Sequence, residues 1–278
     1  MNRICQVVGR LMCLMALPLS QAQAATVGDT LSTAAMRSPQ AQHAVLLDLA
    51  RAGQRLVAVG ERGIVLLSDD NGVSWRQTAV PVSVSLTAVQ FIDANTGWAV
   101  GHAGVVLVSH DGGEHWALQL DGLRAAQLEL ASARQQLPSA NDQDAAAARV
   151  QTAERLAGEG ADKPFLAVQF VDARHGLIVG AYGLAFRTDD GGTTWQSIMG
   201  SIDNPMGAHL SAIIQQGQHW FLAGEQGYLA RSDDAGHSFT QLKSPYTGSF
   251  FTVQMRDDGV LLVAGLTGVG MNPAIAVA

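Results

Sequence analysis

Four aspartates are the residues of this chain whose type and spacing could do chemistry. Asp70, Asp111, Asp190 and Asp234 each stand third in the pattern Ser/Thr-x-Asp-x-Gly-x-x-aromatic. Carboxylates in a tight turn suit calcium, but calcium takes about six to eight oxygen ligands. Each copy of the pattern offers only one or two carboxylates, so the sequence predicts no metal site. We expect each aspartate to accept hydrogen bonds from backbone amides of its own turn.

The other fixed positions of the pattern are predicted to be structural as well. The hydroxyl at position one can satisfy the end of a strand, and the glycine at position five permits the turn. The aromatic ring at position eight is expected to pack onto its own sheet. These residues are Ser68, Gly72, Trp75, Ser109, Gly113, Trp116, Thr188, Gly192, Trp195, Ser232, Gly236 and Phe239.

Each copy of the pattern closes a longer unit. Trp75 and Trp116 lie 41 residues apart, and Trp195 and Phe239 lie 44 residues apart. Around the second copy, four short apolar runs are separated by three turn signals, which indicates four antiparallel strands. Such a unit is typical of a β-propeller blade. The sequence therefore predicts an all-β propeller with four recognisable blades and a truncated fifth, at about 43–80, 83–119, 164–199, 206–243 and 249–270.

The fifth unit does not continue into the acidic turn that the other units carry. Phe250–Met255 and Val260–Gly265 read as its first two strands, but residues 269–278 lack the pattern. Two interpretations stay open. The chain is shortened, or a five-bladed ring closes with residues near 30–50 supplying the missing strand. A broken last blade would leave an exposed strand edge.

Residues 120–163 interrupt the repeat and are predicted to form a helical hairpin. Leu123–Leu137 and Asp142–Ala157 consist of strong helix formers. Leu123, Leu130 and Leu137 fall at sevenfold spacing, which predicts a narrow apolar seam that packs either against the other helix or against another protein. Two roles stay open for this insertion, because it could pack against the propeller or serve as a docking arm for a partner.

The repeated units resemble a known family. The acidic turns are Asp-box (BNR) repeats, and an apolar strand followed by Gly-x-x-Gly precedes each of them, as in residues 98–104. This combination resembles the photosystem II stability/assembly factor-like propellers of the Ycf and high-chlorophyll-fluorescence types, which include periplasmic members in non-photosynthetic bacteria. The resemblance covers residues from about 43 to about 268, interrupted once. It implies a non-catalytic scaffold that binds a protein partner and assists assembly or stability of a membrane or envelope complex, with a transporter as one client.

The first 24 residues read as a secretory signal peptide. Arg3 and Arg10 supply the positive start, residues 11–17 are apolar but too short to cross a bilayer, and Ala22–Ala24 is a cleavage site. The mature chain, 25–278, is predicted to be secreted to the periplasm with no transmembrane segment and neither cysteine. Losing two arginines takes the net charge from −7 to −9, which argues against a nucleic-acid partner.

The turns between the second and third strands are the predicted binding surface. In a propeller these turns all lie on one face near the central channel. Their side chains differ between blades, which a structural turn does not require. We therefore expect a partner-binding ring made of Glu61, Arg62, His102, Tyr182, Glu225 and Gln226. The alternative is a set of ordinary solvated turns.

A sialidase-type glycoside hydrolase is the rival interpretation, because such enzymes also carry Asp boxes. A site of that type needs three arginines for the substrate carboxylate and a tyrosine nucleophile with a glutamate partner. Glu61, Arg62, Tyr182 and Glu225 would supply one arginine only. No phosphate-binding loop, serine-hydrolase elbow or zinc-protease motif occurs in the chain. The sequence therefore favours a protein that is not an enzyme and holds no cofactor.

Overall fold

The chain folds as a β-propeller with a helical insertion. The computed structural model describes residues 29–256, 258–266 and 275–276, so the predicted signal peptide lies outside the described residues. The described residues contain four four-stranded sheets and one three-stranded sheet. Within each sheet the strands follow one another in chain order and pair antiparallel. This topology confirms the predicted fold class.

The strands of each blade run from the centre of the propeller outward. The first blade contains β1 Leu46–Ala52, β2 Arg55–Gly60, β3 Val65–Ser68 and β4 Arg76–Gln77. The second contains β5 Leu86–Phe91, β6 Gly97–Gly101, β7 Val106–Ser109 and β8 Ala117–Leu120. The third contains β9 Phe165–Phe170, β10 Gly176–Gly180, β11 Ala185–Thr188 and β12 Gln196–Ser197. The fourth contains β13 Leu210–Gln216, β14 His219–Gly224, β15 Leu229–Ser232 and β16 Thr240–Gln241. The fifth contains β17 Phe250–Met255, β18 Val260–Gly265 and β19 Ile275–Ala276.

The fifth blade differs from the sequence expectation in its third strand. β19 pairs with the first residues of β18. It begins ten residues after Gly265, which ends β18, whereas in the other blades the third strand begins five residues after the end of the second. The idea that residues near 30–50 complete this blade is wrong. β1 is already paired along its length with β2, and the segment before it lies on the first blade, where Ala35 N donates to Val80 O at 3.0 Å.

The hydrophobic core lies between neighbouring blades. β1 packs against β5, β5 against β9, β9 against β13, and β13 against β17. Trp116, Trp195 and Phe239 are each buried in a cluster shared with the preceding blade, so the expectation that they pack onto their own sheet is incomplete. A sheet has two faces, and each face must be covered by another layer. Trp75 has no preceding blade and is only half-buried, against the N-terminal segment.

A hydrogen bond from the preceding blade reinforces each of these seams. The carbonyl at position four of the Asp box is the acceptor in three blades. Gly112 O accepts from Arg55 Nη1 at 3.2 Å, and Ala235 O accepts from Arg187 Nη1 at 3.1 Å. Gly191 O accepts from the Gln119 amide at 2.9 Å. The Asp-box turn of one blade is therefore fastened to the blade before it.

The Asp boxes are closed hydrogen-bonded turns. Ser68 Oγ donates to Asp70 Oδ1 and accepts from Gly72 N, both at 2.8 Å, and Ser74 N donates to Asp70 Oδ1 at 2.8 Å. The other three boxes repeat this arrangement around Asp111, Asp190 and Asp234. The Ser74 hydroxyl and amide lower the pKa of Asp70 to about 2, because their hydrogen bonds favour the ionised form.

Two antiparallel helices form the insertion between β8 and β9. They are α1, Gly122–Gln136, and α2, Gln143–Glu159. Asp121 caps α1 by accepting from Arg124 N, and Asp142 caps α2 by accepting from Ala145 N, both at 2.9 Å.

The leucines at sevenfold spacing are not fully buried. Leu123 is half exposed, Leu130 and Leu137 are partly buried, and the buried apolar residues of the hairpin are the alanines at 125, 126, 133 and 153. Small side chains let the helices and the propeller approach closely. Glu129, 2% exposed, then fixes the hairpin in place. It accepts a bidentate pair of bonds from Arg149 at 2.8 and 3.0 Å and a short bond from the Ser197 hydroxyl at the end of β12.

We predict that Trp195→Ala lowers the free energy of unfolding by about 3–5 kcal/mol, because it empties a buried site between the second and third blades. Trp75→Ala is the matched control. It removes the same side chain from the same position of the pattern, but this indole is half-buried, so we expect a clearly smaller loss. Urea unfolding followed by circular dichroism measures both. Equal losses would contradict the account of the seams.

We also predict a loss of stability in acid. The pKa of Asp70 is lower in the folded protein than its ordinary value of 3.8. Its contribution to the free energy of unfolding is therefore fully present above pH 3.8 and is lost as the pH falls towards about 2. The pKa of Asp190 is lowered in the same way by Thr194. The urea midpoint should therefore fall between pH about 4 and about 2, and it should fall less steeply in Asp70→Asn. An unchanged slope in that variant would contradict the role given to this carboxylate.

Candidate functional site

The turns between the second and third strands of each blade define one face of the propeller, here called the upper face. They occupy Glu61–Gly63, His102–Gly104, Ala181–Gly183 and Glu225–Gly227. The middle residue of each turn has a left-handed backbone, with φ of 53°, 56°, 57° and 54° for Arg62, Ala103, Tyr182 and Gln226. Tight turns of this kind favour asparagine or glycine there. The turn itself therefore does not explain Arg62, Tyr182 or Gln226.

The glycine that ends the second strand sets the position of each turn. A methyl group on Gly60, Gly101, Gly180 or Gly224 would overlap the carbonyl oxygen of the residue that precedes the first strand. That same carbonyl accepts a hydrogen bond from the first residue of the turn, for example Ala181 N to Pro164 O at 3.0 Å. The close approach therefore ties the upper-face turn to the innermost strand.

This tie produces a β-bulge at the start of every innermost strand. The register shifts between Leu46 and Asp48 in β1 and at the equivalent place in β5, β9, β13 and β17. A bulge leaves one residue unpaired and re-aims its side chain. The five bulge residues are Leu47, Thr87, Leu166, Ser211 and Phe251, and all five line one cavity of about 370 Å³ at the propeller axis.

The upper rim of this cavity carries polar side chains. His209, Glu225 and Ser249 complete its lining. Glu225 Oε2 accepts from His209 N at 3.2 Å and lies 3.8 Å from His209 Nδ1. Glu61 makes the same backbone contact in the first blade, with Val45 N at 3.1 Å, but it does not line the cavity. Each of these two predicted binding carboxylates therefore also caps the start of an innermost strand.

An aromatic and ionic cluster adjoins the cavity. The Tyr182 ring, 57% exposed, packs on the His209 ring with centroids 4.8 Å apart. Lys163 Nζ, just after α2, lies 5.1 Å from the centre of the Tyr182 ring and pairs with Asp162 and Glu159 at 2.6 and 2.8 Å. Burial opposes the charge of Lys163, but these carboxylates outweigh it and raise its pKa. The hairpin therefore contributes to the upper face.

The structure brings together only some of the residues that the sequence marked for partner binding. Tyr182 and Glu225 meet through His209. No hydrogen bond, ion pair or ring contact links Glu61 or Arg62 to either of them within the part of the chain that the structure describes. His102 is exposed in the turn of the second blade, and Gln226 is exposed beside Glu225 in the turn of the fourth. Sequence reasoning missed Lys163 and His209. For His209, its place directly before an innermost strand, next to the Gly-x-x-Gly turn, was a usable signal.

Across residues 29–256 and 258–266, no group of three or more histidine, cysteine or acidic side chains could hold a metal ion. Among the described helices, none is long and apolar enough to span a membrane.

Comparisons with known proteins place the chain beside one family. The family model described as photosynthesis system II assembly factor YCF48 matches residues 67–134 and 149–248. The photosystem II assembly lipoprotein Ycf48 of Synechococcus sp. (strain CC9902) is 35% identical over 77 residues, which is 28% of this chain and 23% of that protein. The chain therefore spans about a quarter of the length of this curated relative.

Solved structures show the same fold at low identity. YCF48 bound to D1 peptide has a TM-score of 0.54 at 16% identity, covering 81% of this chain and 63% of that one. YCF48 from Cyanidioschyzon merolae has a TM-score of 0.52 at 16% identity, covering 84% and 71%. An ancestral GH74 enzyme has a TM-score of 0.56 at 14% identity, and the match covers 81% of this chain but only 28% of that enzyme. These likenesses concern the fold alone.

We predict that Gly180→Ala lowers the free energy of unfolding by about 3 kcal/mol, because the added methyl overlaps the Pro164 carbonyl. Gly158→Ala in α2 is the control. Its methyl meets nothing within 4 Å, and alanine favours a helix, so stability should rise by about 1 kcal/mol. Thermal and urea unfolding measure both. A Gly180→Ala variant as stable as wild type would contradict the close approach of Gly180 to the Pro164 carbonyl, which positions the upper-face turn.

Proposed function

This chain belongs to the photosynthesis system II assembly factor YCF48 family, and we propose that it is a non-catalytic scaffold that binds a protein partner and assists assembly or stability of a membrane or envelope complex. The solved relative bound to D1 peptide supports a protein segment as the ligand. For this chain the client is the photosystem where the source is photosynthetic, and a membrane transport system where it is not.

The observation that carries this proposal is the exposed Tyr182 beside the cavity mouth. Its ring stands on a rigid turn between Lys163 and His209, in a backbone conformation that favours smaller residues. Exposed aromatic rings on rigid scaffolds are typical anchors of protein interfaces. Ala103 occupies the equivalent position in the second blade, so the turn does not require an aromatic residue.

The residues of the glycosidase interpretation are not assembled into one site, because Tyr182 and Glu225 contact His209 while no contact among the described residues joins Glu61 or Arg62 to either of them, which supports a non-catalytic role. The Tyr228 hydroxyl donates to Asp203 O at 3.0 Å, and burial raises the pKa of this tyrosine, which is the opposite of what a nucleophile needs. The Asp-box carboxylates are acceptors within their own turns. The GH74 enzyme shares the fold, and fold alone does not imply activity.

The place of action proposed here is outside the cytoplasm. The predicted signal peptide, cleaved after about Ala24, supports export to the periplasm. The curated relative is named a lipoprotein.

Affinity capture from the envelope of the source organism tests the proposal. We predict that the mature chain recovers a membrane complex and that Tyr182→Ala weakens this capture about tenfold, as the loss of an interface anchor does. Val73→Ala is the control, because Val73 is 86% exposed on the Asp-box face. It should capture as well as wild type.

Both variants should melt like wild type, since both side chains are exposed. If Tyr182→Ala left the capture unchanged and Val73→Ala abolished it, the binding surface would lie on the opposite face. A wild-type chain that recovers no complex would contradict the scaffold role itself.

A further inference from the structure

Two large apolar side chains stand exposed in the axial cavity. Leu47 is 49% exposed and Phe251 is 53% exposed, and Leu166 lies in the same ring of bulge residues. The equivalent positions hold Thr87 and Ser211, so the bulge itself does not demand an apolar residue. Concave sites lined by apolar side chains with a few polar groups are typical ligand sites.

A carboxylate whose one charged partner among the described residues is a histidine lies at the rim of this cavity. No lysine or arginine of the described chain forms an ion pair with Glu225, whose contacts are both with His209. By contrast, Asp69, Asp189 and Asp233 on the opposite face each pair with an arginine. The charge of Glu225 is therefore free to attract a cation from a ligand.

Free hydroxyls and a ring add to this carboxylate. The side chains of Ser211 and Ser249 line the cavity and make no hydrogen bond to the described residues. The rings of Tyr182 and His209, inclined at 54° with their centroids 4.8 Å apart, stand beside them. A guanidinium has five donors in a plane and stacks on aromatic rings, whereas an ammonium is a compact point charge. This combination of acceptors and rings therefore fits arginine better than lysine.

We propose that the axial cavity binds an arginine side chain from an extended segment of the partner protein. The guanidinium reaches Glu225 and the two serine hydroxyls, and the methylene stem lies along Leu166. An apolar neighbour of that arginine covers Leu47 and Phe251. This inference rests on the proposed scaffold function and states which chemistry the partner segment carries. The net charge of −7 favours a basic ligand as well.

Fluorescence anisotropy with short labelled peptides tests the site. The probe is an amidated Gly-Leu-Arg-Leu-Gly peptide, and its twin carries citrulline, which keeps the shape of arginine and removes the charge. We expect the citrulline peptide to bind at least about tenfold more weakly, because charge-assisted bidentate contacts are the strong ones. Raising the salt concentration should weaken binding of the arginine peptide only. Equal affinity of the two peptides would overturn the proposal.

Two protein variants locate the effect. Glu225→Gln keeps an acceptor for His209 N and removes the charge, so the variant should keep its fold. Its affinity for the arginine peptide should fall about tenfold. Glu61→Gln is the matched control, because Glu61 makes the same backbone contact outside the cavity. It should bind like wild type. An equal loss in both variants, or none in Glu225→Gln, would overturn the site.

Phe251→Ser separates the apolar contact from the ionic one. It should lower the affinity for Gly-Leu-Arg-Leu-Gly several-fold and leave the affinity for Gly-Gly-Arg-Gly-Gly unchanged. Equal effects on the two peptides would overturn the proposed contact between Phe251 and an apolar neighbour of the arginine. If free agmatine displaced the labelled probe at the same concentration as the unlabelled peptide, the proposal of a peptide ligand would be overturned. Capture of the membrane complex that persists in Glu225→Gln would overturn the arginine site while the scaffold function stands.

Discussion

The close approach between the glycine that ends each second strand and the carbonyl that precedes each innermost strand is the constraint on which the rest of the structure depends. No side chain fits in that space. The contact pulls the chain into a tight turn, fixes that turn with a backbone hydrogen bond, and forces a bulge into the innermost strand. The bulge aims one residue per blade into the axial cavity. One steric condition therefore builds the fold and the wall of the candidate site together.

The structural roles of the repeat leave a small number of positions free, and these are the positions that can differ in function. Tyr182 and Ala103 occupy the same turn position in different blades, as do Phe251 and Ser211 in the bulges. The insertion adds to this asymmetry, because Lys163 follows α2 and reaches the Tyr182 ring. The Glu129–Arg149 pair joins the two helices of the hairpin, and the Ser197 hydroxyl of the third blade donates to the same buried carboxylate. Removing one partner of such a pair would leave a buried charge, so the hairpin has one favoured position.

The sequence predicted the parts of this molecule that local patterns determine. The alternation of short apolar runs with Gly-rich turns was enough for the strands of four blades and for the fold class. Contacts between blades were not predictable in this way, because residues such as Arg55 and Gly112 are far apart in the chain and no local pattern links them. The leucine spacing of α1 did not identify the most buried residues for a related reason, since alanines at other positions permit the closest packing. The contact between His209 and Tyr182 joins two blades, so no local pattern of the sequence could predict it.

Hydrogen exchange read by mass spectrometry, with and without the bound membrane partner, tests the central claim that the upper face is the binding surface. Backbone amides exchange more slowly where a partner covers and stabilises them. We expect protection at residues 181–183, 209–211 and 225–227, with no change in the Asp boxes at 188–195 and 232–239. Protection of the Asp boxes with an unchanged upper face would contradict it.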